Sequence, residues 1–285
     1  MKRILFPTEF SPNAVHNFYY ALDWAKKFNA DLVVMHALKQ SEGDRTGQKS
    51  WEEIGEEFKD KMKNFVATNL SPAYHAVNIE YEIEIGFPVE SIERQVSENN
   101  IDMIVMGMEA HKTALEAYFS SVAMDIISTV QVPVLLIPNT SKFEVISNMT
   151  YTFNFEFEEL GAILNLLQFN EITQSTLTCL HVLESDENKQ EMQYKFDAAF
   201  ALFKNHKRYG DNVHLRMTSG IFEQIIDSIV KEESVDMLVM LSNRRDFTAR
   251  FMEPSTASKV ARKMDIPVLI LKHDYFFKNH IQGSL

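Results

Sequence analysis

The sequence is short of cysteine, of positive charge and of long apolar runs, and each shortage disfavours a class of protein. The one cysteine, Cys179, has no partner in the chain, which fits a reducing cytosol better than a secreted disulfide framework. The net charge of −12 argues against nucleic-acid binding and against docking on an anionic membrane, since both need clustered Lys and Arg. No apolar stretch could span a bilayer, and the start, MKRILFPTEF, lacks signal-peptide features. We therefore expect a cytoplasmic protein.

What the sequence does contain is an internal repeat. Residues 102–137 align without a gap with residues 236–271, at an offset of 236 − 102 = 134. Earlier residues match more weakly at an offset of 145, which pairs Glu9 with Asn154 and His36 with His181. The repeat predicts two copies of one domain. We expect the two domains at residues 1–138 and 146–272. A linker is expected at residues 139–142 and a C-terminal tail at residues 273–285.

Strand and helix patterns alternate within each half. The predicted strands of the first half are residues 4–6, 31–37, 78–85, 101–106 and 132–137. Those of the second half are residues 149–153, 175–183, 213–217, 237–241 and 267–271. Helices are predicted over residues 12–28, 51–69, 88–99 and 120–129. This alternation predicts an α/β fold with a parallel sheet covered on both faces in each half.

Two strand segments differ in how their apolar residues are spaced. Residues 78–85, NIEYEIEI, alternate strictly between apolar and polar side chains, which is typical of a half-exposed edge strand. Residues 31–37 form a continuous apolar run after the initial Asp, which indicates burial on both faces. The two segments therefore predict an edge position for the third strand and an internal position for the second.

Several segments, taken in order, resemble the universal stress protein family. They are ILFPTEFS at residues 4–11, VVMHAL at 33–38, VMGMEAHKTALEAYFSSVA at 105–123, and VPVLLIP at 132–138. The resemblance extends over most of residues 2–138 and, more weakly, over residues 146–272. It implies two tandem doubly wound five-stranded parallel sheets of flavodoxin-like, Rossmann-like topology, with strand order 3-2-1-4-5. It also implies an intrachain pseudo-dimer through residues 132–137 and 267–271, and a further homodimer of whole chains is open.

The resemblance also implies where a nucleotide would bind, because many members of the family bind ATP while many others do not. The binding members carry an Asp after strand one, then Gly-x-x-Gly, nine residues, and Gly-Ser or Gly-Thr around the phosphates. Glycine suits these positions because a Cβ would block close approach of the backbone. By this resemblance the first-half positions are Pro7, Thr8, Glu9, Ala37, Met106, Gly107, Ala110, Ser120, Ser121 and Val122.

The first half keeps this pattern only in part, and the second half has lost it. Gly107 and Ser121 match, whereas Ala110 and Ser120 replace glycines and Glu9 replaces the Asp. The second-half equivalents, which we expect to be inactive, are Asn154, Val182, Leu241, Arg244, Pro254 and Ser255. Leu and Arg side chains would fill the phosphate space, and Pro254 has no N–H to donate. The arginines there, Arg244, Arg245 and Arg250, fit either an anion site or, more simply, local ion pairs.

Other suggestive features have simpler structural interpretations. Residues 43–50, GDRTGQKS, resemble a phosphate-binding loop, but the glycine spacing is wrong and Gln48 intervenes, so a polar loop is expected. His36 and His181 end the second strands at matching positions without a second ligand at metal spacing. We expect each to be packed with one ring nitrogen hydrogen-bonded. Cys179 is expected in the core, and the carboxylates of residues 52–60 on the wet face of a helix.

The sequence thus predicts a non-enzymatic, cytoplasmic stress-response protein with no resident cofactor or metal. Erosion of the motif in both halves favours an ATP-independent protein that acts through unnamed protein partners or small ligands. The alternative is an ATP-binding stress switch, with or without slow hydrolysis, that uses the loop Gly107–Ser121. A flavodoxin-like electron carrier shares the topology, and colourless purified protein would count against it.

Overall fold

The fold is seen in a computed structural model, which divides the chain into two units. It describes residues 1–39, 49–108, 121–141, 145–153, 172–183, 187–204, 213–242 and 266–272, with the single residues 159, 163, 166, 167 and 169. Unit 1 holds the described residues up to Asn139, and unit 2 holds those from Thr140 onward. The predicted C-terminal tail lies outside the described residues.

Unit 1 is a parallel sheet with helices between its strands. Its strands are β1 (Arg3–Pro7), β2 (Asp31–Leu38), β3 (Ile79–Ile85), β4 (Met103–Met108) and β5 (Val134–Pro138). Its described helices are α1 (Pro12–Phe28), α2 (Trp51–Asn69), α3 (Pro88–Glu98) and α4 (Ser121–Thr129), with a 3₁₀ turn at Pro72–Tyr74. The strands pair in parallel in the order β3-β2-β1-β4-β5. This confirms the predicted order 3-2-1-4-5.

Unit 2 repeats the same arrangement. Its strands are β6 (Asn148–Thr152), β7 (Thr176–Leu183), β8 (Val213–Ser219), β9 (Met237–Ser242) and β10 (Val268–Lys272). Its helices with described bounds are α5 (Lys189–Lys204) and α6 (Phe222–Glu232). The parallel order β8-β7-β6-β9-β10 is again 3-2-1-4-5. The tandem fold is therefore confirmed, while the pseudo-dimer and the exact domain bounds stay predictions.

Capping side chains define the ends of the first two helices. Ser11 accepts a hydrogen bond from the Ala14 N–H ahead of α1, and Asn29 ends that helix in the left-handed conformation at φ 49°. Ser50 and Glu53 form a reciprocal capping box at the start of α2. Both helices therefore begin where the sequence predicted.

Burial follows the two predicted strand patterns. The inner residues of β2 are buried from Leu32 to His36, whereas β3 is half-exposed along its length and stands at the outer edge of the unit 1 sheet.

Among the described residues, no helix is both long and apolar enough to cross a bilayer.

A polar contact recurs in both units at the start of the first strand. The Asp102 carboxylate accepts hydrogen bonds from the backbone N–H groups of Lys2 and Arg3. In unit 2, the Asp236 carboxylate accepts from the N–H groups at positions 147 and 148, each at 2.8 Å. Each carboxylate, located just before the fourth strand, thus satisfies the amides that begin the first strand.

The two units differ in length at one crossover. By residue number, 40 residues separate Leu38 of β2 from Ile79 of β3, and 29 separate Leu183 of β7 from Val213 of β8. The difference, 40 − 29 = 11, equals the change in repeat offset from 145 to 134. The copies are therefore matched in length everywhere else between the first strand and the fifth.

Candidate functional site

The carboxyl ends of β1 and β4 form the place in unit 1 where a ligand is expected. Beyond β1 the strand order switches direction, and ligands of open parallel sheets bind at such a switch point. The loop Thr8–Ser11 follows β1, Gly107 lies near the end of β4, and α4 begins at Ser121. Residues 109–120, which include Ala110 and Ser120, lie outside the described residues.

The loop after β1 is held by its own hydrogen bonds. The Thr8 N–H donates to the carbonyl of Met35 at 2.8 Å, and the Phe10 N–H donates to Thr8 Oγ1 at 3.1 Å. The Ser11 hydroxyl donates to the exposed Glu9 carboxylate at 2.5 Å. Glu9, which the sequence predicts as a nucleotide contact, therefore lies at the predicted edge but already bonds to a neighbouring side chain.

His36 fixes this loop from the adjacent strand. Its Nδ1 lies 2.7 Å from the carbonyl oxygen of Thr8, and because a carbonyl only accepts, Nδ1 carries the proton. The imidazole stacks on Phe58 of α2, with centroids 5.0 Å apart, and lies 4.8 Å from the Phe10 ring. The predicted role of His36 as a packed, hydrogen-bonded histidine is confirmed.

The same arrangement recurs in unit 2. His181 Nδ1 lies 2.9 Å from the carbonyl oxygen of Phe153, and both residues are 145 positions after their counterparts. Its Nε2 lies 3.4 Å from the Glu187 carboxylate. Among the described residues, no group of three His, Cys, Asp or Glu side chains is placed to hold a metal ion.

Gly107 makes a contact that the sequence analysis missed. A Cβ built on Gly107 would lie 2.1 Å from Nδ2 and 3.1 Å from Cγ of Asn17, a residue of α1 that is only 5% exposed. Any larger residue at this position would collide with that amide. Asn17 could have been found from the sequence, because it is a polar residue on the apolar face of α1 that carries Ala14 and Phe18.

The Asn17 amide also has an unsatisfied atom. Its Oδ1 is buried and has no hydrogen-bond partner in the part of the chain that the structure describes. A buried acceptor without a donor costs free energy, and such an atom marks a place where a water or a ligand group would be stabilised. Within the described residues, the polar group that packs against Gly107 is therefore the neutral amide of Asn17.

The remaining first-half positions are spread along the same edge. Pro7 ends β1 opposite Met35, and Ala37 is half-buried on β2 opposite Glu84 of β3. Met106 is buried on β4, and Val122 is half-buried in the first turn of α4. Whether Gly107 and Ser121 converge on one ligand stays a prediction.

Most second-half positions lie outside the described residues. Those are Asn154, Arg244, Pro254 and Ser255, together with the arginines 245 and 250. Val182 is buried on β7, and Leu241 pairs with Leu271 between β9 and β10. Residues 43–48 of the supposed phosphate loop are likewise not described, whereas Ser50 caps α2.

Cys179 is a core residue, as predicted. Its side chain is fully buried on β7, and this burial raises the pKa of the thiol to about 12. The reactive thiolate is thereby suppressed at neutral pH, so Cys179 is not placed for nucleophilic chemistry.

Comparisons with known proteins agree with the fold. The sequence model of the universal stress protein family matches residues 1–138 and 156–272. Two universal stress proteins of Methanocaldococcus jannaschii are similar. One is 24% identical over 156 residues, which cover 48% of this chain and 94% of that protein. The other is 28% identical over 144 residues, which cover 50% of this chain and 84% of that protein. A solved universal stress protein from Archaeoglobus fulgidus has a TM-score of 0.66 at 19% identity, covering 95% of this chain and 96% of that one.

Proposed function

Because this chain belongs to the universal stress protein family, we propose that it acts in stress adaptation as a binding protein, without enzymatic activity and without ATP. In this proposal it works in the cytoplasm, and its partners are proteins or small ligands. The family match establishes the kind of protein. The ATP-independence rests on the geometry at Gly107.

The contact between Asn17 and Gly107 is the observation that carries the proposal. Gly107 is the one glycine that the first half keeps from the nucleotide-binding motif. A glycine at this position would ordinarily indicate space for a phosphate. The Asn17 amide gives a different reason for a glycine at position 107, because the amide occupies the space where a Cβ would lie. A glycine required by packing is retained whether or not nucleotide binds, so Gly107 no longer argues for ATP.

The neighbouring polar groups support the same view. The Thr8 carbonyl accepts from His36, the Thr8 hydroxyl accepts from the Phe10 amide, and the Glu9 carboxylate accepts from Ser11. A nucleotide that used Glu9 would have to compete with the Ser11 hydroxyl, which also caps α1. Binding would therefore cost part of the local network that holds the loop.

One observation favours the rival, an ATP-binding switch in unit 1. The buried Oδ1 of Asn17 lies beside Gly107 and has no hydrogen-bond partner among the residues with described positions. A ligand with an N–H donor would satisfy this atom and gain affinity from doing so. The rival therefore predicts binding that depends on Asn17.

The test is calorimetric titration of MgATP into full-length protein that has first been stripped of nucleotide. We expect no heat at millimolar ATP and an unchanged melting temperature, since a ligand that binds only the native state raises it. Micromolar affinity at one site per chain would overturn the proposal.

The variants for this test follow from the geometry. Gly107→Val is a poor probe, because collision with Asn17 would unfold the region and mimic lost binding. Glu9→Gln is better, since Glu9 is exposed and accepts a hydrogen bond from the neighbouring Ser11 hydroxyl. If wild-type protein binds ATP, and Glu9→Gln and Asn17→Ala weaken binding while both stay folded, the rival replaces the proposal.

A further inference from the structure

Unit 1 exposes three large apolar side chains among its described residues. They are Trp51, Ile85 and Phe87, with exposed fractions of 39%, 49% and 71%. Single exposed apolar residues are ordinary, whereas a contiguous group of them marks an interaction surface. The question is therefore whether these side chains are neighbours.

The packing of α2 on β3 sets the start of α2 near the carboxyl end of β3. A Cβ on Gly55 of α2 would lie 4.0 Å from Cγ2 of Ile83 on β3. Because α2 connects two parallel strands, it runs antiparallel to β3. One helical turn back from Gly55 is Trp51, and two residues on from Ile83, on the same strand face, is Ile85. Both steps move about 6 Å toward the carboxyl end of β3.

Phe87 adjoins Ile85 through the chain itself. It follows Ile85 after Gly86, whose φ of 144° turns the backbone at the end of the strand. Phe87 then stands at the N-cap of α3, where its side chain makes no capping hydrogen bond and is mostly exposed. We call Trp51, Ile85 and Phe87 the apolar corner.

Carboxylates flank the apolar corner on α2. A shallow cavity of about 450 Å³ at the start of α2 is lined by Lys49, Glu52, Glu53, Glu56 and Glu57. Lys49 pairs with Glu57, and Glu53 serves the capping box. This leaves Glu52 and Glu56 without an ion pair among the described residues. The corner therefore joins exposed apolar surface to unneutralised negative charge.

From this juxtaposition we infer that the apolar corner is a docking surface for a basic amphipathic protein segment. Such a segment would place apolar side chains on Ile85 and Phe87 and direct Lys or Arg toward Glu52 and Glu56. A helix that is apolar on one face and basic on the other has this chemistry. The chain's net charge of −12 would speed the encounter with a basic partner.

The inference rests on the proposed role as a binding protein, but it does not depend on the absence of ATP binding. The apolar corner follows the edge strand β3, whereas the nucleotide question concerns β1 and β4 at the switch point. A failed peptide titration would therefore leave the ATP result unaffected, and the reverse also holds.

The test uses two synthetic peptides as probes against the full-length chain. One is an amphipathic helix of leucine and lysine about 18 residues long, and the other replaces every lysine with glutamate. Fluorescence anisotropy of the labelled peptides should show saturable binding of the lysine peptide alone, weakened by added salt. Trp51 should become less accessible to iodide on binding, while Trp24, which is 1% exposed, reports nothing.

The variants locate the binding. Phe87→Ser and the double variant Glu52→Gln/Glu56→Gln should each weaken the lysine peptide about tenfold. Ile221→Ser is the matched control, since Ile221 is 59% exposed and precedes α6 of unit 2, 134 positions after Phe87. It should leave affinity unchanged.

Three results would overturn the inference. The first is equal binding of both peptides or of neither, and the second is equal weakening by Ile221→Ser. The third is a mass by light scattering that falls from dimer to monomer in Phe87→Ser, which would assign the apolar corner to a second copy of the chain.

Discussion

His36 donates a hydrogen bond to the carbonyl of Thr8 across the end of the sheet, and the ring nitrogen and the oxygen are 2.7 Å apart. The bond ties the loop after β1 to β2 at the edge where the candidate site lies. The same bond recurs between His181 and Phe153, so both units use a histidine of the second strand to hold the loop after the first strand. These histidines are therefore parts of the scaffold, although they lie at the edge where ligands usually bind.

Replacing His36 with Phe should destabilise unit 1. Phe keeps the aromatic packing on Phe58 but leaves the buried Thr8 carbonyl without its donor, at a cost of about 1–3 kcal/mol in the free energy of unfolding. Urea denaturation would measure the loss. His75→Phe is the control, because His75 is exposed and should change stability by less than about 0.5 kcal/mol. An equal loss of stability in the two variants would contradict a stabilising role for the hydrogen bond from His36 to Thr8.

Gly107→Ala should destabilise the protein through collision with Asn17. The cost expected for overpacking is about 1–3 kcal/mol, and the double variant Asn17→Ala/Gly107→Ala should recover most of it. Thermal and urea unfolding of the four proteins give the coupling between the two positions. Gly55→Ala is the control, since its Cβ would meet nothing closer than 4.0 Å and should gain helix propensity. Strictly additive effects of the two substitutions would show that they do not touch.

Removing the carboxylate of Asp102 or Asp236 should expose the start of the first strand in the corresponding unit. Each carboxylate accepts from two backbone N–H groups, so Asp102→Ala and Asp236→Ala should each cost about 1–3 kcal/mol. Hydrogen exchange should quicken at Lys2 and Arg3 in the first variant alone. Asp125→Ala, on the exposed face of α4, is the control and should leave both stability and exchange unchanged. Unchanged exchange in Asp102→Ala would mean that the amides find another acceptor.

The thiol of Cys179 should be inert in the folded protein. Burial raises its pKa from 9.0 to about 12, so the thiolate is scarce at pH 8 and Ellman's reagent should react only as the chain unfolds. The unfolded chain releases this proton near pH 9, whereas the folded chain retains it. The stability that Cys179 contributes is therefore complete below pH 9 and is lost as the pH rises toward 12.

The measurement for this prediction compares wild type with Cys179→Ala between pH 8 and pH 11. Stability of the wild type should fall more steeply above pH 9, and the difference between the two slopes isolates the thiol from lysine and tyrosine titration. Rapid labelling of the native protein, or parallel slopes, would show that the thiol ionises in the folded state.

The layout of the fold could be predicted because it rests on periodic patterns. The continuous apolar run at β2 indicated a buried strand, and the strict alternation of NIEYEIEI indicated the edge strand β3. Ser11 and Pro12 located the start of α1, since local capping chemistry is written in adjacent residues. The strand order came from the family resemblance, because spacing alone does not rank the five strands.

The site could be predicted only as a set of positions. Asn17 stands out as a polar residue on the apolar face of α1, but its contact with Gly107 joins residues 90 positions apart, and neither segment indicates that pairing. Phe10 adopts a left-handed φ of 61° that its residue type does not favour, so the course of that loop was not predictable. The apolar corner was also missed, because GFPVE reads as an ordinary turn into a helix until the exposure of Phe87 is known.

The crossover between β2 and β3 is also the place where the two copies are free to differ. Between the first and fifth strands of the two units, the whole net difference in spacing, 11 residues, falls in this one connection. A sheet cannot gain or lose residues without breaking its register, whereas a surface excursion can lengthen freely. The longer copy is the one that bears the apolar corner. The strand spacing that sets the sheet is thus the same in both units, and the difference between them is confined to a connection outside it.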